Sequence, residues 1–237
     1  MFAPVTPVVG EQPFNDWFAP DTTQRHMLGL EIVAVDPYWG KGTFMYIRSN
    51  DAILKGSLVM WDETFKGALL PSTAGQGFPF GVAMAPMPSG TFGWIQVAGL
   101  CVYKTNATVA ADTAVAVAAA GIAGTLANGK QLLNCRNRRS ATATITFTGT
   151  TTNGSAKITT SGYDGVFEGM ALSGTGIPAS TVVAGLDPDG RTIYTGSAIG
   201  TVGDKNSTAS GTVTVTGTYT GYGAAQINYP FAQGQVV

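Results

Sequence analysis

Three pairs of carboxylates have the residue types needed to cleave a sugar bond. They are Asp62 with Glu63, Asp164 with Glu168, and Asp187 with Asp189. Glycoside hydrolysis requires two carboxyl groups that flank the scissile bond. Successive residues of a strand point to opposite faces, so Asp62 and Glu63 would diverge, and the other two pairs lie beside turns. We therefore expect no enzyme, and a polysaccharide depolymerase is the last of three functional hypotheses.

Few other groups could act as nucleophiles or metal ligands. His26 is the only histidine, so we expect a packed or surface side chain and no Ser-His-Asp triad or Cys-His pair. Cys101 and Cys135 lie in apolar runs, which favours two buried thiols over a disulfide or a zinc site. Asp187 and Asp189 lack the further acidic ligands that calcium needs. The sequence predicts no metal and no cofactor.

Charge is sparse and balanced, and its one basic cluster is Arg136-Asn-Arg-Arg139. The chain has 13 Lys and Arg against 14 Asp and Glu, a net charge of −1. Phosphate binding requires a concentrated cationic excess, so we expect no nucleic-acid partner. Neither a signal peptide nor an apolar stretch long enough to span a membrane is apparent. Arg136, Arg138 and Arg139 either form salt bridges within the protein or contact an acidic partner surface.

Residues 1–28 read as an extended N-terminal arm. Four prolines oppose a helix there, and large aromatic side chains, including Phe14, Trp17 and Phe18, lie between them. Such an arm packs on its own domain or lies across a neighbouring subunit. Because aromatic residues anchor interfaces, we predict Phe14, Trp17 and Phe18 as partner contacts.

From residue 29 onward, short apolar runs alternate with turn signals, which predicts a sandwich or barrel. Residues 110–123 are rich in alanine, but Val115 and Val117 alternate and two glycines interrupt the run, so strand or loop is expected. Gly93 and Gly99 permit a close backbone approach or a tight turn, and a hairpin is expected after the strand at 92–98. The predicted strands are residues 30–35, 43–48, 53–61, 78–85, 92–98 and 100–104.

A second composition begins near residue 141, where threonines alternate with apolar residues. Thr142, Thr144, Thr146 and Thr148 flank Ala143, Ile145 and Phe147, so each such strand has a hydroxyl face and an apolar face. Asp187-Pro-Asp-Gly190 reads as a turn. Residues 224–231 return to the first composition. We predict an all-β protein: a sandwich- or barrel-like core at 29–140 plus 222–237, and a small β-sandwich module, Ig-like or similar, inserted at 141–221. A C-terminal extension and a strand swap between subunits are alternatives to an insertion.

Two stretches resemble parts of bacteriophage proteins. Gly149-Thr-Thr-Thr-Asn-Gly-Ser and Gly169-Met-Ala-Leu-Ser-Gly-Thr-Gly-Ile-Pro resemble small all-β modules of virion decoration, fibre and tail proteins. Thr43-Phe-Met-Tyr-Ile-Arg48, Gly56-Ser-Leu-Val-Met60, Phe80-Gly-Val-Ala83, Phe92-Gly-Trp-Ile-Gln-Val-Ala-Gly99 and Gly129-Lys-Gln-Leu-Leu133 resemble the capsid decoration, or cement, proteins of tailed phages.

The resemblance implies a structural role. Proteins of this family bind the outside of the head and clamp neighbouring major capsid proteins, so we expect this chain to be made in the host cytoplasm and to join the virion surface. The expected partners are the major capsid protein and further copies of this chain, as a dimer or trimer. The module would project outward. The second hypothesis is a fibre or tail adhesin that binds a host glycan through an exposed aromatic such as Tyr163 or Tyr194.

Overall fold

The computed structural model describes residues 3–4, 20–36, 39–106, 108–139, 144–162, 165–187, 191–198, 201–218 and 221–234. The predicted arm residues Phe14, Trp17 and Phe18 lie outside this part of the chain, as do most of the predicted turn at 187–190 and Tyr163. The described residues contain strands and no helix, which confirms the all-β class.

Seventeen strands are present in the described residues. They are β1 (Ala3–Pro4), β2 (Glu31–Asp36), β3 (Gly40–Ser49), β4 (Leu58–Trp61), β5 (Lys66–Leu69), β6 (Phe80–Ala83), β7 (Phe92–Lys104), β8 (Ala114–Ala119), β9 (Ile122–Gly124), β10 (Gln131–Arg139), β11 (Thr144–Thr151), β12 (Lys157–Thr160), β13 (Ala171–Gly174), β14 (Thr181–Leu186), β15 (Thr192–Gly196), β16 (Gly211–Thr218) and β17 (Tyr222–Ala232).

The chain divides into two compact units. One comprises Thr142–Thr220 and the other joins Phe2–Ala141 to Gly221–Val237, and we call them the module and the core unit. The module lies in the sequence between β10 and β17, two neighbouring antiparallel strands of the core unit. Its own first and last strands, β11 and β16, also pair with each other from Thr144↔Thr218 onward.

The core unit contains a closed ring of five strands. In order they are β3, β5, β4, β6 and β7, and an additional β3–β7 pairing closes the ring. Ring closure leaves no free edge among these strands, which protects them from pairing with other chains. The interior holds fully buried aliphatic residues from neighbouring strands, including Ile47, Val59, Ile95 and Val97. Burying such a side chain stabilises the fold by about 1.5–3 kcal/mol.

Strand β7 is long enough to belong both to the ring and to a second sheet. Beyond the ring it continues into the order β7-β17-β10-β8-β9, and an isolated bridge from Thr105 to Ala123 ties the last strand back to the end of β7. A second core cluster joins this sheet to the outside of the ring. It includes Phe80 and Val82 of β6 together with Cys101, Tyr103 and Ile227.

Gly99 explains why β7 is continuous where a hairpin was expected. The expected break between 92–98 and 100–104 is wrong, since one strand runs from Phe92 to Lys104. Gly99 has φ +106°, and a Cβ there would lie 2.5 Å from the carbonyl oxygen of Lys41. Of the two roles expected for Gly99, a tight turn or a close backbone approach, the structure therefore shows the close approach.

Two further strand boundaries differ from expectation. The predicted strand at 53–61 is shorter, because the backbone turns at Gly56 (φ +77°) and β4 begins only at Leu58. The short strand β5 was not predicted, because Lys66–Leu69 has little apolar alternation. Residues 110–123 do form strands and loop, as β8 and β9.

The module is a small barrel. Its six strands close in the order β11-β12-β15-β14-β13-β16, so the expected small sandwich takes the form of a closed barrel. Thr144, Thr146 and Thr148 are exposed, as the alternation predicts. Fully buried side chains fill the interior, among them Ile158, Met170, Val183, Ile193 and Val215.

Candidate interaction surface

The three arginines predicted as partner contacts all lie on β10, but they differ in their surroundings. Arg138 forms an ion pair with Asp112 of its own unit, at 2.6 Å from Nη1 to Oδ1. Arg139 is half-buried opposite Ala224. Arg136 is exposed opposite Gln226 and Ala114, and its guanidinium has no ion-pair partner among the described residues. Arg136 is therefore the arginine best placed to meet a partner.

A buried asparagine holds the loop that carries Asp112, the ion-pair partner of Arg138. The Asn137 side chain is fully buried and donates from Nδ2 to the carbonyl oxygens of Val109 (3.0 Å) and Ala110 (2.8 Å). The Tyr103 hydroxyl donates to Asn137 Oδ1 at 2.8 Å. Burial raises the pKa of Tyr103, with smaller contributions from the neighbouring thiols, so the phenol keeps its proton. These bonds fix the loop that carries Asp112, and the Arg138 ion pair is part of this internal structure.

An irregularity in the β10–β17 ladder redirects two apolar side chains. Between the pairs Cys135↔Ile227 and Leu133↔Phe231, the chain advances two residues on β10 and four on β17. Each strand has a residue with positive φ at this point, Asn134 (53°) and Tyr229 (44°). A positive φ is uncommon for residues other than glycine, although asparagine adopts it more readily than tyrosine does, and backbone strain of this kind clusters at functional sites. Bulges also re-aim side chains.

The consequence is visible in the burial of the flanking residues. On β17, Ile227 and Ala232 both belong to the core cluster, an odd separation that places Phe231 outside at 38% exposure. On β10, Leu132 is in the core and Cys135 packs against it, so Leu133 faces outward. With strict alternation from Ile227 and Cys135, Phe231 and Leu133 would face inward.

Together with exposed Phe231, the half-buried Leu133 forms part of an outward-facing apolar surface on three neighbouring chain segments. Pro79 is exposed and forms a bridge with Phe231, which in turn lies opposite Leu133. Phe78, next to Pro79, is 40% exposed. We call Leu133, Phe231, Pro79 and Phe78 the β10–β17 patch. Sequence reasoning missed it because period-two alternation assigns Phe231 to the core; the only local signal is the Tyr-Pro pair that precedes it.

Exposed apolar side chains concentrate in the core unit as a whole. Among the described residues, eight large hydrophobic side chains are exposed, and only Val202 belongs to the module. The core unit is therefore better suited than the module to a partner that buries apolar surface.

The last part of the predicted arm, residues 21–26, is anchored on the ring. Asp21 exchanges two backbone hydrogen bonds with Phe92, at 2.8 and 2.9 Å. The Tyr46 hydroxyl donates to Asp21 Oδ2 at 2.7 Å and accepts from the Arg25 amide at 3.3 Å. His26 packs with its ring centroid 4.9 Å from that of Tyr46 and 5.3 Å from that of Trp94, which confirms the packed histidine.

Of the three carboxylate pairs considered for catalysis, only Asp62 and Glu63 both lie within the described residues. Asp62 Oδ1 accepts from the amide of Lys66 (3.0 Å), the hydroxyl of Thr64 (2.7 Å) and the amide of Thr64 (2.8 Å), and these bonds lower the pKa of its carboxyl. Glu168 is buried in the module, and Asp164 and Asp189 lie outside the described residues. No group of three potential metal-ligating side chains occurs in the described part of the chain.

Tyr194 is already engaged by its own module. Its hydroxyl donates to Asp187 Oδ2 at 2.7 Å, and the Lys157 ammonium lies 5.5 Å from its ring centroid. A ring with one face near a cation and its hydroxyl paired is a poor platform for stacking a sugar. Tyr194 therefore gives little support to an aromatic glycan site.

Cys101 and Cys135 are free thiols, as expected. Burial raises the pKa of Cys135 to about 12 and that of Cys101 well above its ordinary value, with the neighbouring Cys135 adding to the latter. Among the described residues no helix is long and apolar enough to cross a membrane.

Comparisons of the chain with protein-family models, with curated proteins and with solved structures each give no match. The fold and the surface define an all-β protein of two compact units, one of which presents an apolar patch. These findings do not identify a specific function, so we propose one below.

Proposed function

We propose that this chain is a structural virion protein that binds the outer surface of a phage head and cements neighbouring major capsid proteins. The sequence resemblance supplies the class of partner, and the β10–β17 patch is the observation that supports a binding role most directly. Copies of this chain would occupy symmetric sites on the lattice as a dimer or trimer.

The patch has the composition of a small interface centre. Phe231 and Leu133 provide apolar area, and Arg136 lies on the same outward face of β10 as Leu133. Aromatic residues and arginine are enriched where binding energy concentrates, and a polar rim around an apolar centre excludes water. Backbone strain at Asn134 and Tyr229 is maintained on both strands, and its effect is to expose this surface.

The stabilising mechanism is mass action. A protein that binds the assembled lattice and not loose capsid subunits shifts the equilibrium toward the assembled state. Since the ring strands of the core unit have no free edges, these strands would bind the lattice through side chains and not by pairing with strands of a partner.

Reconstitution on heads tests the proposal. Heads stripped of this protein should lose DNA at a lower temperature than intact heads, and added protein should restore the original value. Unchanged heat resistance of stripped heads would contradict the proposal.

Substitutions then locate the interface. Phe231→Ala and Leu133→Ala should each weaken sedimentation with stripped heads by about tenfold or more, as expected for residues at an interface centre. Leu54→Ala is the matched control, because Leu54 is 56% exposed and lies outside the patch. Equal weakening by all three substitutions would exclude the patch as the contact.

The adhesin hypothesis has less support. Of the aromatic residues considered for sugar stacking, Tyr163 lies outside the described residues and Tyr194 is engaged within the module.

A further inference from the structure

The sequence contains two Asn-Gly pairs, and both lie in turns of the same kind. Asn128-Gly129 is at the centre of the turn at 127–130, between β9 and β10, and Asn153-Gly154 is at the centre of the turn at 152–155, between β11 and β12. In each turn the amide of the fourth residue donates to the carbonyl oxygen of the first, at 3.2 and 3.0 Å respectively. The glycines have φ of +69° and +77°, as the third position of such a turn requires, and both asparagines are exposed. The two pairs are therefore matched in local conformation.

An Asn-Gly pair has the groups needed to modify itself without an enzyme. The backbone nitrogen of the glycine bonds to Cγ of the asparagine, the Cγ–Nδ2 bond breaks, and the proton of the glycine amide leaves with the Nδ2 group as ammonia. Water then opens the resulting succinimide ring at either carbonyl, which yields aspartate or isoaspartate. Water is the only co-reactant, and no group is oxidised or reduced. Glycine favours the reaction because it has no Cβ to hinder the approach.

Hydrogen bonds restrain the reacting groups in the turn at 152–155. The Gly154 amide donates to the carbonyl oxygen of Ser207 at 2.8 Å. The neighbouring Asn153 amide donates to Ser210 Oγ, also at 2.8 Å. Because both amides are bound to segment 207–210, these bonds must open before the Gly154 nitrogen can lose its proton and turn toward the asparagine side chain. The reaction is therefore restrained at Asn153.

The corresponding nitrogen in the turn at 127–130 is not restrained in this way. The Gly129 amide donates no hydrogen bond to any of the described residues, and the Asn128 side chain forms none with them. The carbonyl oxygen of Gly129 accepts from the Gly75 amide at 2.9 Å, which positions the turn but leaves the Gly129 nitrogen available. The two pairs thus differ at the one atom that must react.

We propose that Asn128 is a site of spontaneous deamidation in the folded protein and that Asn153 is protected from the same reaction. This inference does not depend on the cementing role, because the reaction requires only the chain and water.

The products would change the surroundings of the turn. Both carry a new negative charge, and isoaspartate also lengthens the backbone by one carbon atom. The turn is close to a neighbouring segment, since a Cβ on Gly129 would lie 3.0 Å from that of Ala74 and the next residue, Gly75, provides the bonded amide. Deamidation therefore alters the contact with the segment that leads to Phe78 of the β10–β17 patch.

Timed incubation of the full chain in mildly alkaline buffer tests the inference. Mass spectrometry of peptides quantifies asparagine, aspartate and isoaspartate at both sites, in the folded protein and in guanidinium chloride. In the folded protein we expect conversion at Asn128 to be about tenfold or more faster than at Asn153, because hydrogen bonds must open only at the second site. In denaturant the two rates should approach each other, since neither turn persists.

Single substitutions assign the change in charge. Anion-exchange chromatography should show an acidic species that accumulates in wild type and in the matched control Asn153→Gln, but not in Asn128→Gln. Unchanged melting temperatures would show that both variants fold. The inference is overturned if the two sites convert at equal rates in the folded protein, if Asn153 converts faster, or if the acidic species accumulates equally in both variants. None of these measurements uses phage heads, so they are independent of the test of cementing.

Discussion

Leu133 and Phe231 lie directly opposite each other on β10 and β17, and both point away from the core that their neighbours Leu132 and Ala232 help to form. Two residues with positive φ, Asn134 and Tyr229, adjoin this pair. The outward orientation of the two apolar side chains, of which Phe231 is exposed and Leu133 half-buried, is therefore set by the backbone of both strands.

The strain at position 134 predicts contrasting effects of two substitutions. Asn134→Val should lower the free energy of unfolding by about 1–2 kcal/mol, because a β-branched residue tolerates φ of 53° poorly. Asn134→Gly should change it by less than about 0.5 kcal/mol, because glycine adopts this φ freely. Urea titrations would compare them. Equal losses would show that the asparagine side chain, and not its backbone conformation, matters here.

Asn137 should be one of the most sensitive polar positions of the core unit. Asn137→Ala leaves the Tyr103 hydroxyl and the carbonyls of Val109 and Ala110 without their partner, so a loss of about 3 kcal/mol or more is expected. Tyr103→Phe should cost less, about 1–2 kcal/mol, because it removes one bond. Asn128→Ala, at an exposed position, is the control. A double-mutant cycle of Tyr103 and Asn137 that shows no coupling would contradict the network.

Substitutions of Arg136 and Arg138 should have different effects, one on partner binding and the other on stability. Arg138→Ala should destabilise the fold by no more than about 1 kcal/mol, because the ion pair with Asp112 is half-exposed. Arg136→Ala should leave stability unchanged and weaken sedimentation with stripped heads. The reverse result, a stability loss only for Arg136→Ala, would show that the two roles are misassigned.

The two thiols should be inert in the folded protein and should not form a disulfide. Cys101 and Cys135 lie on β7 and β10, with β17 between them, and they face β17 residues two positions apart, Ala225 and Ile227, so their Cα atoms are separated by more than two strand spacings, that is, by more than about 9–10 Å. A disulfide allows at most about 7 Å. We expect slow labelling by a thiol reagent in buffer and rapid labelling of both thiols in denaturant. Fast labelling of the native protein would contradict their burial.

The raised pKa of Cys135 also predicts a pH dependence of stability. The unfolded thiol loses its proton near 9.0, whereas the folded thiol keeps it up to about 12. Stability contributed by this difference is complete below 9.0 and declines as the pH rises toward about 12. Cys135→Ala should flatten the decline measured by urea titration across that range. Because burial also raises the pKa of Tyr46 and Tyr103, some decline should remain in the variant.

The anchored end of the predicted arm should open locally when its hydrogen bonds are removed. Tyr46→Phe deletes the bond to Asp21 and the bond from the Arg25 amide. We expect faster amide exchange at Asp21 and Gly29, whose amides bond to the carbonyl oxygens of Phe92 and Tyr46, with little change in the ring strands. Uniformly faster exchange throughout the core unit would instead indicate global destabilisation.

Local sequence patterns were enough to predict the class of fold and the strand faces of much of the module. Alternating threonines predict exposed hydroxyl faces at Thr144, Thr146 and Thr148, and the change of composition near residue 141 matches the division into two units closely. The free thiols also follow from residue type and neighbourhood, whereas His26 was expected to be either packed or on the surface and the structure shows it packed. These features are local, because strand alternation is decided by residues two positions apart.

Features that join distant segments were decided only by the tertiary structure. The sequence around Arg136–Arg139 does not reveal that Arg138 forms an ion pair with Asp112. The run that ends at Phe231 does not reveal that a bulge turns this side chain outward. Likewise, each threonine strand predicts its own exposed face, but the register of β11 with β16 is needed to place threonine opposite threonine. A one-residue change in register or a bulge reverses which face a side chain occupies, and long-range pairing fixes both. The sequence by itself therefore determined the strands and their two-faced character, and the tertiary structure decided which side chains meet on the surface.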